Sequence, residues 1–192
     1  TGAKNADTTG NRSKIAYRGT LALDAATLDA ARHRLTFAAE HEREDFKEND
    51  PAIVFGPGQL VKRDRAQSAF VLEYQGELAN GFDLQASVRH DDNDKFKDFT
   101  TYALGLSYRF PNQTTRLRAS FGTGVQNPNL LEQFGFFANF AGNPNLEPEQ
   151  SKGWDIGIEQ EILGGRGVVD LTYFSDELTD EIASIFDPVT GV

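Results

Sequence analysis

The chain has 192 residues, a formal net charge of −10 and no cysteine. That acidity argues against nucleic acid as a partner, since phosphates need a basic surface, and the missing thiols exclude disulfides and thiolate metal sites. No run of eighteen apolar residues is present, which excludes a transmembrane helix but not a transmembrane β-barrel, whose strands alternate and never reach high mean hydropathy. The chain opens Thr1-Gly2-Ala3-Lys4, lacks methionine and shows no signal peptide, so it is expected to be a processed product or a cut fragment.

Taken in chain order, period-2 alternation recurs between turn signals. Two weaker strands are expected at about Arg12–Leu23 and His33–Arg43. Over Ala66–Ala79, Phe70, Leu72, Tyr74 and Leu78 oppose Glu73, Gln75 and Glu77. Asn80-Gly81 then signals a two-residue hairpin. In Phe82–Asp91, Phe82, Leu84, Ala86 and Val88 oppose Asp83, Gln85, Ser87 and Arg89. Thr100–Phe110 is the clearest strand, with Tyr102, Leu104, Leu106, Tyr108 and Phe110 on one face. Arg116–Thr123, Ser151–Ile162 and Gly167–Ser175 complete about eight strands, and no helix is expected.

The connections fall into two classes. Asn80-Gly81, Pro111–Thr115 and Leu163–Arg166 are short, and they alternate with the longer Glu44–Arg65, Asp92–Asp98 and Gly124–Gln150. An up-and-down transmembrane barrel separates short periplasmic turns from long extracellular loops in this way. Tyr102 and Tyr108 share the apolar face about 20 Å apart along an extended strand, as aromatic girdles at two water interfaces would. The opposite face carries Glu73, Glu77, Asp83, Arg89, Arg109, Arg116, Arg118, Asp155, Glu159 and Asp170. It fits a wet lumen, and equally the solvated side of an ordinary antiparallel sheet.

The most specific signal lies at 126–161. Asn127-Pro128-Asn129-Leu130 and Asn143-Pro144-Asn145-Leu146 mark sharp changes of direction, and Pro148-Glu149-Gln150-Ser151 leads straight into a strand. This order, concentrated in 119–176, resembles the barrel of TonB-dependent outer-membrane receptors. There a Gly-containing strand meets a Pro-Asn-Leu turn, a loop, then Asn-Pro-Asn-Leu-x-Pro-Glu-x-Ser and a strand. Within that group, the run Gly142–Trp154 is most similar to the cobalamin receptor branch.

The resemblance implies an all-β fold of antiparallel, up-and-down transmembrane barrel strands, about eight of them, as an incomplete part of a plugged 22-stranded transporter. Residues 1–192 would form a partial barrel domain, without the plug. The implied partners are outer-membrane lipid of a Gram-negative bacterium, the plug of the same protein, the TonB complex acting through that plug, and a bulky chelate, either cobalamin or an iron-siderophore. No cofactor is implied. The motif residues Asn127, Pro128, Asn129, Leu130, Asn143, Pro144, Asn145, Leu146, Pro148, Glu149 and Ser151 read as structural.

The ligand-contact candidates are Phe134, Phe136, Phe137, Asn139 and Phe140. Four phenylalanines within 134–140 are costly to leave in water. They either pack into the barrel mouth, present an apolar surface to a bulky ligand, or fold back on their own neighbours. No enzyme is expected: a Gly-x-Ser-x-Gly elbow is absent, and Glu147 and Glu149 flank Pro148 without a sign of a desolvated pocket. No resident metal is expected either. His33 and His41 stand eight residues apart on one strand, too far to share an ion. Asp92-Asn93-Asp94 has Lys97 and Ala103 where an EF-hand loop requires Gly and Glu, which leaves only an irregular calcium site at Asp91, Asp92, Asp94 and Asp98. Two other readings remain open at this point: a secreted β-sandwich that binds carbohydrate or protein, and a plain outer-membrane pore.

Overall fold

The computed structural model describes residues 7–24, 32–49, 61–78, 80–137 and 140–184. Its strands are β1 (Asp7–Asp24), β2 (Arg32–Asn49), β3 (Val61–Glu77), β4 (Phe82–Asn93), β5 (Phe99–Arg109), β6 (Thr115–Gln126), β7 (Phe136–Phe137), β8 (Phe140–Ala141), β9 (Glu149–Ile162) and β10 (Gly167–Thr179). One short helix, α1 (Leu130–Phe134), precedes β7. The main sheet has eight strands in the order β1-β2-β3-β4-β5-β6-β9-β10, every pair antiparallel, and β7-β8 form a separate two-stranded ribbon. Sequential neighbours pair throughout, so the topology is up-and-down, as expected. Among the described residues, β1 and β10 are each paired on one side only, leaving the sheet open.

Register puts the apolar residues of successive strands in line. Leu84, Leu106, Ala119, Ile156 and Tyr173 lie on one rung line, and Ala86, Leu104, Phe121 and Trp154 on the next. This face is not a core. Leu171 is 70% exposed and Ile15 72%, and Leu104, Ile156 and Tyr173 are also exposed. An apolar face this continuous is far larger than the patches soluble monomers leave in water. Aromatic contacts mark its two ends. Phe82 stacks on Tyr108 at 4.4 Å and Tyr108 meets Phe110 at 4.9 Å near the short turns, while Tyr17 and Phe37 lie 5.9 Å apart further up.

The polar face is laced by cross-strand pairs: Lys14–Glu40 at 3.1 Å, Arg89–Glu40 at 3.0 Å, Arg118–Asp170 at 2.8 Å and Ser107–Asp83 at 2.9 Å. The three histidines are used within the sheet. His33 bonds the Tyr74 hydroxyl, His41 bonds Ser68 and His90 bonds Thr100.

Four expectations need correction. Within the connection expected at Glu44–Arg65, residues 44–49 and 61–65 are strand, with β2 and β3 paired through Glu48↔Val61, and 50–60 lie outside the described residues. Charges on both faces hide the alternation there, and pairs such as Arg43–Asp64 at 3.5 Å replace apolar packing. Most of the remaining strands also run beyond one or both expected ends, as β1, β6 and β10 do, whereas β5 stops at Arg109, one residue short of the expected Phe110. The Asn80-Gly81 hairpin has three loop residues rather than two: Leu78 N–H donates to Phe82 O at 2.7 Å, Gly81 N–H donates back to Leu78 O, and Gly81 has φ of 86°. That positive φ is the glycine-favouring step of a three-residue hairpin. Finally, a helix exists where none was expected.

Candidate functional site

The long connection between β6 and β9 folds over the polar face at the long-loop end of the sheet, and it begins with the first Asn-Pro-Asn-Leu motif. Asn127 Nδ2 donates to Asn93 Oδ1 at 2.9 Å, and Pro128 is fully buried. Asn129 is the N-cap of α1. Its Oδ1 accepts from Glu132 N–H at 2.8 Å, and Glu132 Oε2 accepts from Asn129 N–H at 2.8 Å. This reciprocal capping box satisfies two donors that a short helix cannot satisfy alone. Leu130 and Gln133 are the buried residues of that helix.

The second motif is a turn, as expected. Asn143 Oδ1 accepts from Asn145 N–H at 3.0 Å, and Asn143 O accepts from Leu146 N–H. Asn143 N–H and Gly142 N–H donate to Glu132 O and Gly135 O, each at 2.8 Å, so the turn closes back on the helix. The approach is tight: a Cβ at Gly142 would lie 2.7 Å from Gln133 C and 2.8 Å from Phe134 N. Glu149 Oε1 accepts from Ile182 N–H at 2.7 Å, which ties the strand start to the chain beyond β10, and Pro148 is buried. Ser151 is on the rung Gly124↔Ser151.

Beneath this loop lies a cavity of about 550 Å³. Arg63 and Arg65 reach it from β3, Lys95, Phe96 and Lys97 from the β4–β5 loop, and Phe99 from the start of β5. Leu130, Gln133 and Phe134 come from α1, and Pro144, Asn145 and Leu146 from the second motif. The Arg63 guanidinium stands 4.9 Å from the centre of the Phe134 ring, and that of Arg65 stands 5.8 Å from Phe96, both within cation–π range. Arg65 is half-buried and joins several parts. Its Nε donates to Glu44 Oε2 at 2.6 Å, and its Nη1 donates to the Pro128 carbonyl. The lining also carries the carboxylates Asp64 and Glu147, so the four cations leave a positive surplus beside the rings, which suits a large ligand with acidic oxygens and flat groups.

Of the residues singled out in the sequence, Leu130, Phe134, Pro144, Asn145, Leu146, Glu147 and Pro148 line the cavity. Phe136, Phe137 and Phe140 are described through their backbone, paired as Phe136↔Ala141 and Phe137↔Phe140. Asn139 lies outside the described residues. Arg63, Arg65, Lys95, Phe96, Lys97, Phe99 and Gln133 were not anticipated. Their signals were the one-face pair Arg63-x-Arg65 and the tripeptide Lys95-Phe96-Lys97 inside a loop read only for its acids.

Those acids bind protein groups of the loop and of the strands beside it. Asp94 Oδ1 accepts from Ala66 N–H at 3.0 Å and Asp98 Oδ1 from Asn93 N–H at 2.9 Å, while Asp91 binds Arg89 and Gln67. Among the described residues, no His or carboxylate group of three or more converges as a metal site would require.

Comparison with known proteins agrees with this architecture. The family description "TonB dependent receptor-like, beta-barrel" matches residues 1–192. The siderophore receptor PirA from Pseudomonas aeruginosa is 25% identical, with a TM-score of 0.71 over 89% of this chain and 32% of its own. The ferric enterobactin receptor PfeA of the same organism, solved with enterobactin as a mutant, is 22% identical with a TM-score of 0.66 over 89% of this chain and 27% of its own. PirA from Acinetobacter baumannii gives 16% and 0.72 over 91% and 28%. The chain therefore spans about a third or less of the solved structures it matches.

Proposed function

The chain belongs to the family of TonB-dependent receptor β-barrels, and from that premise we propose that it is part of an outer-membrane receptor that captures a bulky, anionic metal chelate at its long-loop rim and imports it. The observation that carries this reading is the cavity of about 550 Å³, which sets Arg63, Arg65, Lys95 and Lys97 beside Phe96, Phe99 and Phe134. Acidic oxygens of such a chelate would take charge-assisted hydrogen bonds from the guanidinium and ammonium groups. Its flat parts would lie against the rings.

The rest of the sheet serves the same reading. Its exposed apolar face, bounded by rings, meets lipid, and its polar face lines a bore that a plug domain fills. The short turns then face the periplasm and the long loops the outside. The chain contributes binding and a wall, and the TonB complex, acting through the plug, supplies the work of import. The chemistry is transport rather than catalysis.

An iron-siderophore fits better than cobalamin, because the cations call for a ligand with several acidic oxygens. The likeness of Gly142–Trp154 to the cobalamin branch concerns framework turns, and it makes cyanocobalamin the proper competing probe. The test is binding of radio-iron ferric enterobactin and of cyanocobalamin to the full-length receptor in detergent. Arg63→Ala and Lys97→Ala should each weaken ferric enterobactin by about tenfold or more, since a hydrogen bond to a charged group contributes about 1.5–3 kcal/mol. Unchanged affinity in both variants would remove the cavity from the function. Preference for cyanocobalamin would overturn the substrate class.

A further inference from the structure

The four cations that line the cavity of about 550 Å³ are not equally available to a ligand. Arg65 is paired with Glu44 at 2.6 Å and Lys95 with Asp94 at 3.6 Å. Among the described residues, Arg63 and Lys97 form no ion pair. Arg63 stands on β3, where the rung Phe46↔Arg63 fixes its place. Lys97 stands in the loop 94–98 between β4 and β5, where no ladder places it.

What places it is the Asn93 carboxamide at the end of β4. Its Nδ2 donates to the Lys97 carbonyl at 3.0 Å and, at 3.5 Å, to that of Asp91. Its Oδ1 accepts from Asn127 Nδ2 at 2.9 Å. The Asn93 N–H donates to Asp98 Oδ1 at 2.9 Å, which closes the loop from its far end. A position that must accept from one group and donate to another calls for a carboxamide, since a carboxylate only accepts. The Lys97 carbonyl has no proton to give, so it also fixes which way the amide points. Asn93 is not among the residues lining the large cavity. It borders a separate one of about 120 Å³, with Gln67, Arg89, Asp91 and Asn127.

We propose that Asn93 is a positioning residue for the chelate site. By holding the Lys97 carbonyl and the Asn127 amide at once, it fixes the backbone from which Lys97 reaches the cavity, so that the ammonium and the Arg63 guanidinium serve one anionic ligand. Asn93 touches no ligand itself and acts through Lys97. A cation on an ordered loop binds more tightly than one on a loose loop, because less ordering remains to be done on binding. This inference deepens the binding reading above and rests on it.

The experiment uses the full-length receptor in detergent, with ferric enterobactin as the probe. Asn93→Leu keeps the size of the side chain and removes both its donor and its acceptor. It should weaken ferric enterobactin by about three- to tenfold, and it should add nothing in a Lys97→Ala background. In an Arg63→Ala background its effect should remain in full. Without ligand, trypsin should cut after Lys97 faster in Asn93→Leu than in the unaltered receptor, because a loop freed of its bonds opens more often. Asn127→Ala removes only the bond between the two connections, and it should show the same dependence on background if Asn93→Leu does not fold. Unchanged cleavage, unchanged affinity, or an equal loss in the unaltered and Lys97→Ala backgrounds would each overturn the positioning role. If ferric enterobactin does not bind the unaltered receptor, the functional reading fails and the positioning role falls with it. If it binds and Asn93→Leu behaves like the parent, the positioning role alone fails.

Discussion

The short-turn half of the wall and its long-loop half are made from the same strands but held together differently. In the lower half every neighbouring pair from β2 to β10 keeps its ladder, and the turns close through backbone bonds such as Phe110 N–H to Thr115 O at 2.9 Å. In the upper half the β5–β6 ladder stops, and a capping box, an arginine clasp and ring contacts take over. Backbone ladders hold regardless of which side chains the strands carry. Side-chain clasps depend on particular residues, so single substitutions can loosen the loop without touching the wall.

The sharpest way to break this comparison is to put a charge on each half. Leu104→Arg, on the exposed apolar face, should cost about 2–4 kcal/mol if that face meets lipid near its midplane. Leu131→Arg, on the exposed side of α1, should change little. Equilibrium unfolding in urea after refolding into lipid vesicles measures both. Equal, small costs would mean that the apolar face does not meet lipid.

Next in size is Gly142→Ala. The added Cβ meets backbone atoms of Gln133 and Phe134 at 2.7–2.8 Å, and backbone cannot step aside as a side-chain tip can. Overpacking of this kind costs about 1–3 kcal/mol. The cost should fall on the loop alone, seen as faster proteolysis within 127–148 while the unfolding midpoint of the wall stays in place. A lowered wall midpoint would mean that the two halves are not separable.

Asn129→Ala should cost about 1 kcal/mol through loss of the N-cap, again read as protease sensitivity of the loop. Asn129→Asp should restore most of it, because aspartate caps as well. If the aspartate does not rescue, the cap is not what holds α1.

The same division explains what could be read from the sequence. Strands such as β5 were legible because Tyr102, Leu104, Leu106 and Tyr108 alternate strictly with small and polar residues. The upper ends of β2 and β3 were not, because Glu44, Asp45, Lys47, Lys62, Arg63 and Asp64 leave neither face apolar, and alternation carries no signal there. The start of α1 was present as Asn129-x-x-Glu132, but five residues are too few for a helical period to emerge. The cavity joins β3, the β4–β5 loop and the β6–β9 loop, and no spacing along the chain foretells that meeting. The early end of the β5–β6 ladder at Ala103↔Gly122 is silent as well.

The smallest expected effect sharpens the comparison most finely, because two arginines share one carboxylate. Arg12 pairs with Glu42 at 2.6 Å and Glu44 at 3.6 Å with its side chain 65% exposed, whereas Arg65 pairs with Glu44 at 2.6 Å with its side chain 15% exposed. Water and salt screen the first, so Arg12→Ala should cost only about 0–1 kcal/mol, and that cost should vanish at 1 M salt, where the screening length falls to about 3 Å. Arg65→Ala removes bonds from a shielded guanidinium to Glu44 and to the Pro128 carbonyl, and it should cost about 1.5–3 kcal/mol with little dependence on salt. Loop proteolysis of both variants at low and high salt measures the contrast. If the two substitutions cost the same and both fade with salt, the mouth is held by diffuse surface charge. If only the cost of Arg65→Ala survives high salt, one half-buried cation holds the loop through the Pro128 carbonyl.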